Sequence, residues 1–309
     1  MSKELLKTVF EHLTDTEAWS LQLLKVTSSV ANGTTYYSRE ICLEPKNRVQ
    51  MYVEEIRKFY LGKNGIESYN SVDEYTGDVV GKVIYSLPVE NPLIADDYIK
   101  LIHTIATPDK ETPLEEQKKY KAYLLTGSIR LNDELAAVKL FSMQSPLTIM
   151  TNKFLLYTGS TFRDIDKPIL SLKKTIDAVI IGDKFYLFTL QAENLFNLER
   201  TYKAICTQKV QEIVECDFLT NNDSFIQVAT SGQNPRRFVS YDENHLTAMK
   251  DKTTREKIAV KFGIALKGDK IDTDADKASE RLVKLLCNKG KIDPFDELPV
   301  EVAAAKKWE

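Results

Sequence analysis

Residues 167–215 read KPILSLKKTIDAVIIGDKFYLFTLQAENLFNLERTYKAICTQKVQEIVE, and this stretch decides the fold. Ile176, Val179, Ile180 and Ile181 are β-branched, which suits a pleated, buried surface. Gly182-Asp183 is a short polar break where glycine allows φ > 0 and the chain reverses. Lys184 to Leu190 then reads as a second strand, aromatic and apolar. Asn197 is placed to accept the free N–H groups of a new helix, with Glu199 in its first turn. Leu198, Tyr202, Ile205, Val210 and Ile213 follow at helical spacing, so a hairpin packed by a helix is expected.

Around this centre the chain reads as α+β. Residues 4–13 predict a short helix, and Trp19–Val26 and Tyr36–Leu43 predict a strand pair across an Asn32-Gly33 turn. Val49–Tyr60 predicts a helix stopped by Gly62 and Gly65, Val79–Leu87 a strand, and Asn91-Pro92 the start of a further helix. Tyr120–Arg130, Leu135–Phe141 and Leu147–Tyr157 predict three more strands. Helices are expected near Asp223–Ala229 and Tyr241–Met249, a small hairpin over Ile258–Thr273, and a last helix over Ala275–Cys287. The fold class expected is α+β, a mostly antiparallel sheet packed by helices with a smaller N-terminal α/β part. Thr107–Gln117 carries two prolines and many charges, and predicts a linker between a domain at 1–110 and one at 118–309.

The chain has 309 residues, 43% hydrophobic and 28% charged, as in soluble globular proteins. No apolar run approaches the roughly 18 residues that span a bilayer. The N-terminus MSKELLKTVFEHL lacks the apolar core of a signal peptide. Cys42, Cys206, Cys216 and Cys287 are far apart, and buried free thiols in the cytoplasm are expected. Net charge is −3, but residues 118–270 hold 23 basic against 17 acidic side chains. A basic local field is what a polyanion partner would meet.

Searches for chemistry exclude more than they find. The three histidines are isolated, so no metal site or cofactor is expected. Asp272-Thr-Asp274-Ala-Asp276 starts like a calcium loop but has Lys277 and Val283 where glycine and glutamate are needed. Those acids are expected to serve the N-terminus of the last helix. Gly77-Asp-Val-Val-Gly81-Lys82 has one residue too few for a phosphate loop and precedes a strand. Asp109 with Glu116, Gln117 and Lys118 has the residue order of a metal-dependent nuclease, but the acids fall in the linker, and the solvated-linker reading is favoured. The candidates for phosphate contact are Arg236 and Arg237 beside Gln233 and Asn234, the pair Lys173-Lys174, and upstream Arg163 and Lys167. Lys250, Lys252, Arg255, Lys257 and Lys261 form a dilute basic run, and Arg200 and Lys203 lie on the outer face of the central helix. No catalytic residue is expected.

The order KPILSL, IDAVIIG, DKFYLFTL, ENLFNLE and a helix, followed by REKIAVKFGIALKG, KIDT, ASERLVKLLCNKG and IDPFDELP, resembles the KwaB family of the Kiwa anti-phage defence system. The resemblance runs from about Tyr120 to the C-terminus. It implies a non-enzymatic DNA-binding component that interferes with phage DNA replication or late transcription. It also implies a homodimer, and recruitment to the inner face of the membrane by a small KwaA-like membrane protein. The rival readings are a structural adaptor without nucleic-acid binding, and the nuclease built on Asp109 and Glu116.

Overall fold

The computed structural model describes residues 3–15, 19–29, 33–45, 47–77, 81–111, 120–131, 134–148, 155–158, 161–164, 169–292 and 298–301. The chain divides into two compact units, Met1–Glu74 with Lys82–Asn197, and Tyr75–Gly81 with Leu198–Glu309.

The first unit contains α1 (Lys3–Glu11), β1 (Ser20–Ser29), β2 (Gly33–Ile41), α2 (Arg48–Leu61), β3 (Ser71–Glu74), β4 (Val83–Pro88) and α3 (Ala95–Ala106). It continues with β5 (Ala122–Leu131), β6 (Glu134–Ser142), β7 (Leu147–Thr148), β8 (Leu155–Thr158), β9 (Thr161–Asp164), β10 (Ile169–Leu170), β11 (Ala178–Ile181) and β12 (Lys184–Leu187). Eight of these strands form one sheet in the order β2-β1-β5-β6-β11-β12-β4-β3. Every pairing in it is antiparallel except β3 with β4. The α+β class expected from the sequence is the one observed.

Strand alternation gives the sheet two apolar faces. Leu21, Leu23, Tyr123, Leu125, Leu140, Val179 and Tyr186 join a buried cluster with Leu6 and Phe10 of α1 and Val53, Ile56 and Tyr60 of α2. The Phe10 and Tyr60 rings are 4.7 Å apart, and each meets Phe188 edge-on. On the opposite face the Gln22 amide donates to the Ile105 carbonyl of α3 at 3.1 Å, and Phe196 packs on Phe185 at 4.9 Å. Each fully buried side chain of this size contributes about 1.5–3 kcal/mol relative to exposure.

Gly127 shows how closely the first face is packed. A Cβ there would lie 2.6–2.8 Å from three ring atoms of Trp19, whose indole N–H donates to the Leu13 carbonyl at 2.9 Å. Gly127→Ala is therefore expected to cost about 2 kcal/mol in a urea melt, the usual range for overpacking. An unchanged midpoint would mean that Trp19 moves aside freely.

The second unit is mainly helical: α4 (Leu198–Val214), α5 (Asn222–Ala229), α6 (Asn234–Arg237), α7 (Glu243–Lys250), α8 (Lys252–Phe262), the hairpin β13 (Leu266–Lys267) with β14 (Lys270–Ile271), α9 (Ala278–Leu286), and the pair β15 (Gly290–Ile292) with β16 (Pro299–Glu301). Its core joins Cys206, Val210 and Ile213 of α4 to Phe225, Phe238, Leu246, Ala259, Leu282 and Leu286. The helix following the central hairpin thus belongs to the second unit's core, whereas the sequence reading packed it on the hairpin. Strands from both sides of residues 107–117 share the eight-stranded sheet, and the compact units divide at 197/198. Composition marks a polar segment; hydrogen-bonded pairing of β1 with β5 decides which residues share a unit.

Ile258–Phe262, expected as part of a hairpin, lies in α8. Asp251 accepts from the Thr254 N–H at 2.8 Å, and Gly263 ends the helix in the left-handed conformation at φ 61°. Val260 is 81% exposed. Two β-branched residues near the helix end therefore imitate a strand without being buried as one. The remaining hairpin is confined to the Gly268 turn. Asp274 accepts from Asn221 Nδ2 at 2.9 Å and Ser224 Oγ at 2.5 Å, at the start of α5 rather than of α9. Cys206 and Cys287 are buried, and Cys42 is exposed, contrary to expectation.

Candidate nucleic-acid interface

The segment between β10 and β11 carries Lys173 and Lys174. It has no strand neighbour over these residues, yet the peptide groups of Lys173 and Ile176 are satisfied, because three tyrosines supply the missing partners. The Lys173 N–H donates to Tyr123 Oη at 3.0 Å, and the Lys173 carbonyl accepts from Tyr123 Oη–H at 2.7 Å. Tyr52 of α2 also donates to that carbonyl, and its hydroxyl lies 2.7 Å from that of Tyr123. Three residues on, the Ile176 N–H donates to Tyr60 Oη and its carbonyl accepts from the same hydroxyl, both at 2.9 Å. Burial pushes the Tyr52 and Tyr60 phenols well above the ordinary tyrosine range, so both stay protonated.

Next in the chain, Asp177 accepts from the Met143 N–H at 2.7 Å and from Thr189 Oγ1 at 2.5 Å. The segment is therefore held at Lys173, Ile176 and Asp177, while the side chains of Lys173 and Lys174 are exposed. Lys174 Nζ stands 5.5 Å from the centre of the Phe59 ring. Neither lysine has a carboxylate in ion-pair contact among the described residues. Arg163 lies in β9, and its side chain is outside the described residues, as is the whole of Lys167.

The second arginine pair is differently placed. Arg236 and Arg237 end the four-residue helix α6, with Pro235 in its first turn, and both are half-buried. The Arg236 guanidinium lies 5.3 Å from the Tyr202 ring centre and donates through Nε to the Tyr202 hydroxyl at 3.4 Å. Arg237 Nη1 donates to Asn234 Oδ1 at 2.5 Å. Its positive charge also helps hold the Glu280 carboxyl below the usual range, an effect led by the hydrogen bond from Lys284. These arginines serve the packing of the second unit rather than an open loop. Arg200 and Lys203 are exposed on α4, and Lys203 pairs with Glu199 at 2.5 Å.

Arg255 leaves the basic run altogether. It is 6% exposed and donates to three backbone carbonyls: Met249 and Lys250 at the end of α7, and Asp269 in the β13–β14 turn. Lys257 and Lys261 are exposed on α8, and Lys252 lies 3.8 Å from Asp269. The two lysines at 173–174 and the two arginines at 236–237 fall in different units.

Asp109, the first acid of the nuclease reading, accepts from the Tyr37 hydroxyl, lies 3.6 Å from Arg39 Nη1 and takes the Glu111 N–H at 2.8 Å. Its backbone bonds to Ser38 and Glu40 on the edge of β2. These contacts give it a structural task; Glu116 is outside the described residues. Among the described residues no cluster of three or more His, Cys, Asp or Glu side chains is placed to hold a metal ion. The tyrosine anchors were missed by sequence reasoning. The available signal was Tyr52 and Tyr60 on one face of α2, two turns apart.

A family model described as Kiwa protein KwaB-like matches residues 118–290, more than half of the chain. The chain belongs to the KwaB-like family. The match runs from the residues leading into β5 to the start of β15, so it takes in the Lys173–Lys174 segment, both arginines and parts of both units. No curated protein and no solved structure matches it. Membership makes the chain a component of Kiwa, a multi-protein anti-phage defence system. Among the described residues of this KwaB-like chain, no helix is long and apolar enough to cross a membrane.

Proposed function

We propose that this KwaB-like protein is a non-catalytic, duplex-DNA-binding component of Kiwa defence, and that Lys173 and Lys174 contact phosphates. One observation carries the reading: two adjacent, exposed lysines, without carboxylate partners among the described residues, stand on a segment whose backbone is held at Lys173 and Ile176. A cation that is not neutralised within the protein can replace counterions along a phosphate backbone, and a fixed segment loses little entropy in doing so. Phosphate contacts of this kind give affinity and register without reading base sequence. Arg236 and Arg237 rank behind the lysines because their guanidinium groups are engaged in the second unit. As the family resemblance implies, the protein acts as a homodimer with a KwaA-like membrane partner.

A gel shift with duplex DNA tests the reading. The double charge reversal Lys173→Glu with Lys174→Glu is expected to lower affinity by more than about tenfold at low salt, since two contacts become two repulsions. Undiminished binding by that variant would move the interface elsewhere, and a wild type that binds no DNA would return the protein to the adaptor reading. Incubation of the wild type with DNA and Mg²⁺ or Mn²⁺ is expected to leave the DNA uncut, and cleavage would restore the nuclease reading.

A further inference from the structure

We infer that Tyr52, Tyr60 and Tyr123 are positioning residues for anion binding, holding residues 173–176 so that the Lys173–Lys174 pair is preset for phosphate. This deepens the proposed function and rests on it. The geometry is unusual in one respect: each of two phenol oxygens serves both peptide groups of a single residue. Tyr123 Oη takes the N–H and meets the carbonyl of Lys173, and Tyr60 Oη does the same for Ile176. A neighbouring strand normally supplies such partners, and here two tyrosines do so at single points. Tyr52 reinforces the first point from α2, and Gln144 Nε2 approaches Tyr123 Oη at 3.3 Å. Because Tyr52 and Tyr60 come from α2 and Tyr123 from β5, the segment is clamped between a helix and the sheet.

None of the three hydroxyls is exposed beside the lysines: Tyr52, Tyr60 and Tyr123 are buried. Their influence on DNA binding is therefore confined to where they hold the backbone. Losing a hydroxyl leaves the ring in the core and both lysines in place, but frees the segment to move. The predicted signature is weaker affinity with the same number of phosphate contacts.

The test uses the full chain and four variants: Tyr123→Phe, Tyr60→Phe, Lys173→Ala with Lys174→Ala, and one control. The control is Tyr36→Phe: Tyr36 is a partly buried tyrosine of β2 in the same unit, and its hydroxyl donates to the Leu195 carbonyl at 2.8 Å. Amide exchange resolved at Lys173 and Ile176 is expected to rise about tenfold in Tyr123→Phe and Tyr60→Phe respectively, the equivalent of one net hydrogen bond, and to stay unchanged in Tyr36→Phe. DNA affinity is expected to fall about three- to tenfold in the two Phe variants with the salt slope unchanged, whereas the double Lys variant flattens the slope. Unaltered exchange at Lys173 and Ile176 overturns the clamp. Raised exchange with wild-type affinity overturns the positioning role while leaving the DNA reading intact. A wild type that binds no DNA overturns both the reading and the positioning role, and exchange still decides whether the clamp exists.

Discussion

Arg255→Ala is expected to destabilise the second unit by about 3 kcal/mol, because a buried guanidinium that answers three carbonyls disappears at once. Met249 and Lys250 are the last residues of α7, and the free carbonyls of a helix end need donors such as the Arg255 guanidinium. The Asp269 carbonyl sits in the tight turn between β13 and β14 and takes two of the guanidinium's bonds at 3.0 and 2.8 Å. One side chain thus ties a helix end to a hairpin, while the guanidinium carbon lies 5.7 Å from the Phe218 ring centre. Arg255→Lys keeps the charge but cannot reproduce the planar fork, so most of the loss should remain. A urea melt followed through amide exchange at Leu266–Ile271 measures it. Full stability in the Ala variant would mean that water replaces the guanidinium without cost.

Gly65→Ala is expected to cost about as much, about 3 kcal/mol or more, for a different reason. A Cβ at Gly65 would lie 2.1 Å from the Tyr60 carbonyl oxygen and 2.4 Å from its carbonyl carbon and Cα. These are backbone atoms of the last turns of α2, so no side-chain rotation relieves the clash. Gly65 is also held on both sides, its N–H by the Gly62 carbonyl and its carbonyl by the Ser68 N–H, each at 3.0 Å. The strain must therefore pass into Tyr60, whose hydroxyl holds Ile176. Raised amide exchange at Ile176 should accompany the lower melting midpoint, and a destabilised variant with unchanged exchange there would uncouple the two.

Much of the sheet was legible because its strands obey a simple rule. β11 and β12 are apolar in nearly every position, and Gly182 between them takes φ 57°, as the turn requires. β3 was not legible: Ser71, Val72, Asp73 and Glu74 contain one apolar residue, and the strand exists because β4 offers it a parallel edge. α8 was misread although Asp251 and Gly263 mark both of its ends, because Ile258 and Val260 outweighed those signals. The linker at 107–117 was read from proline and charge, yet Asp109 within it bonds to β2. Local composition reports solvent exposure, and pairing partners far away in sequence decide sheet membership.

The candidate site was legible in the same uneven way. Lys173-Lys174 could be singled out as a basic pair, and the structure leaves both exposed. Arg236, Arg237 and Arg255 are equally basic in sequence, and only tertiary contacts with Tyr202, Asn234 and three backbone carbonyls separate them from free cations. The shared face of Tyr52 and Tyr60 on α2 was the one legible hint of the tyrosine anchors; their partners were not legible, because each reaches a residue 50 to 121 positions away.

The most direct test of the account is the salt dependence of duplex-DNA binding by the full chain, compared with its Lys173→Ala, Lys174→Ala double variant. Each phosphate contact contributes about 0.9 to the slope of log affinity against log salt, so the variant should be weaker and its slope shallower by about 1.8. Equal affinity and equal slope for the two proteins would contradict the account, as would a wild type that fails to bind duplex DNA at the lowest salt.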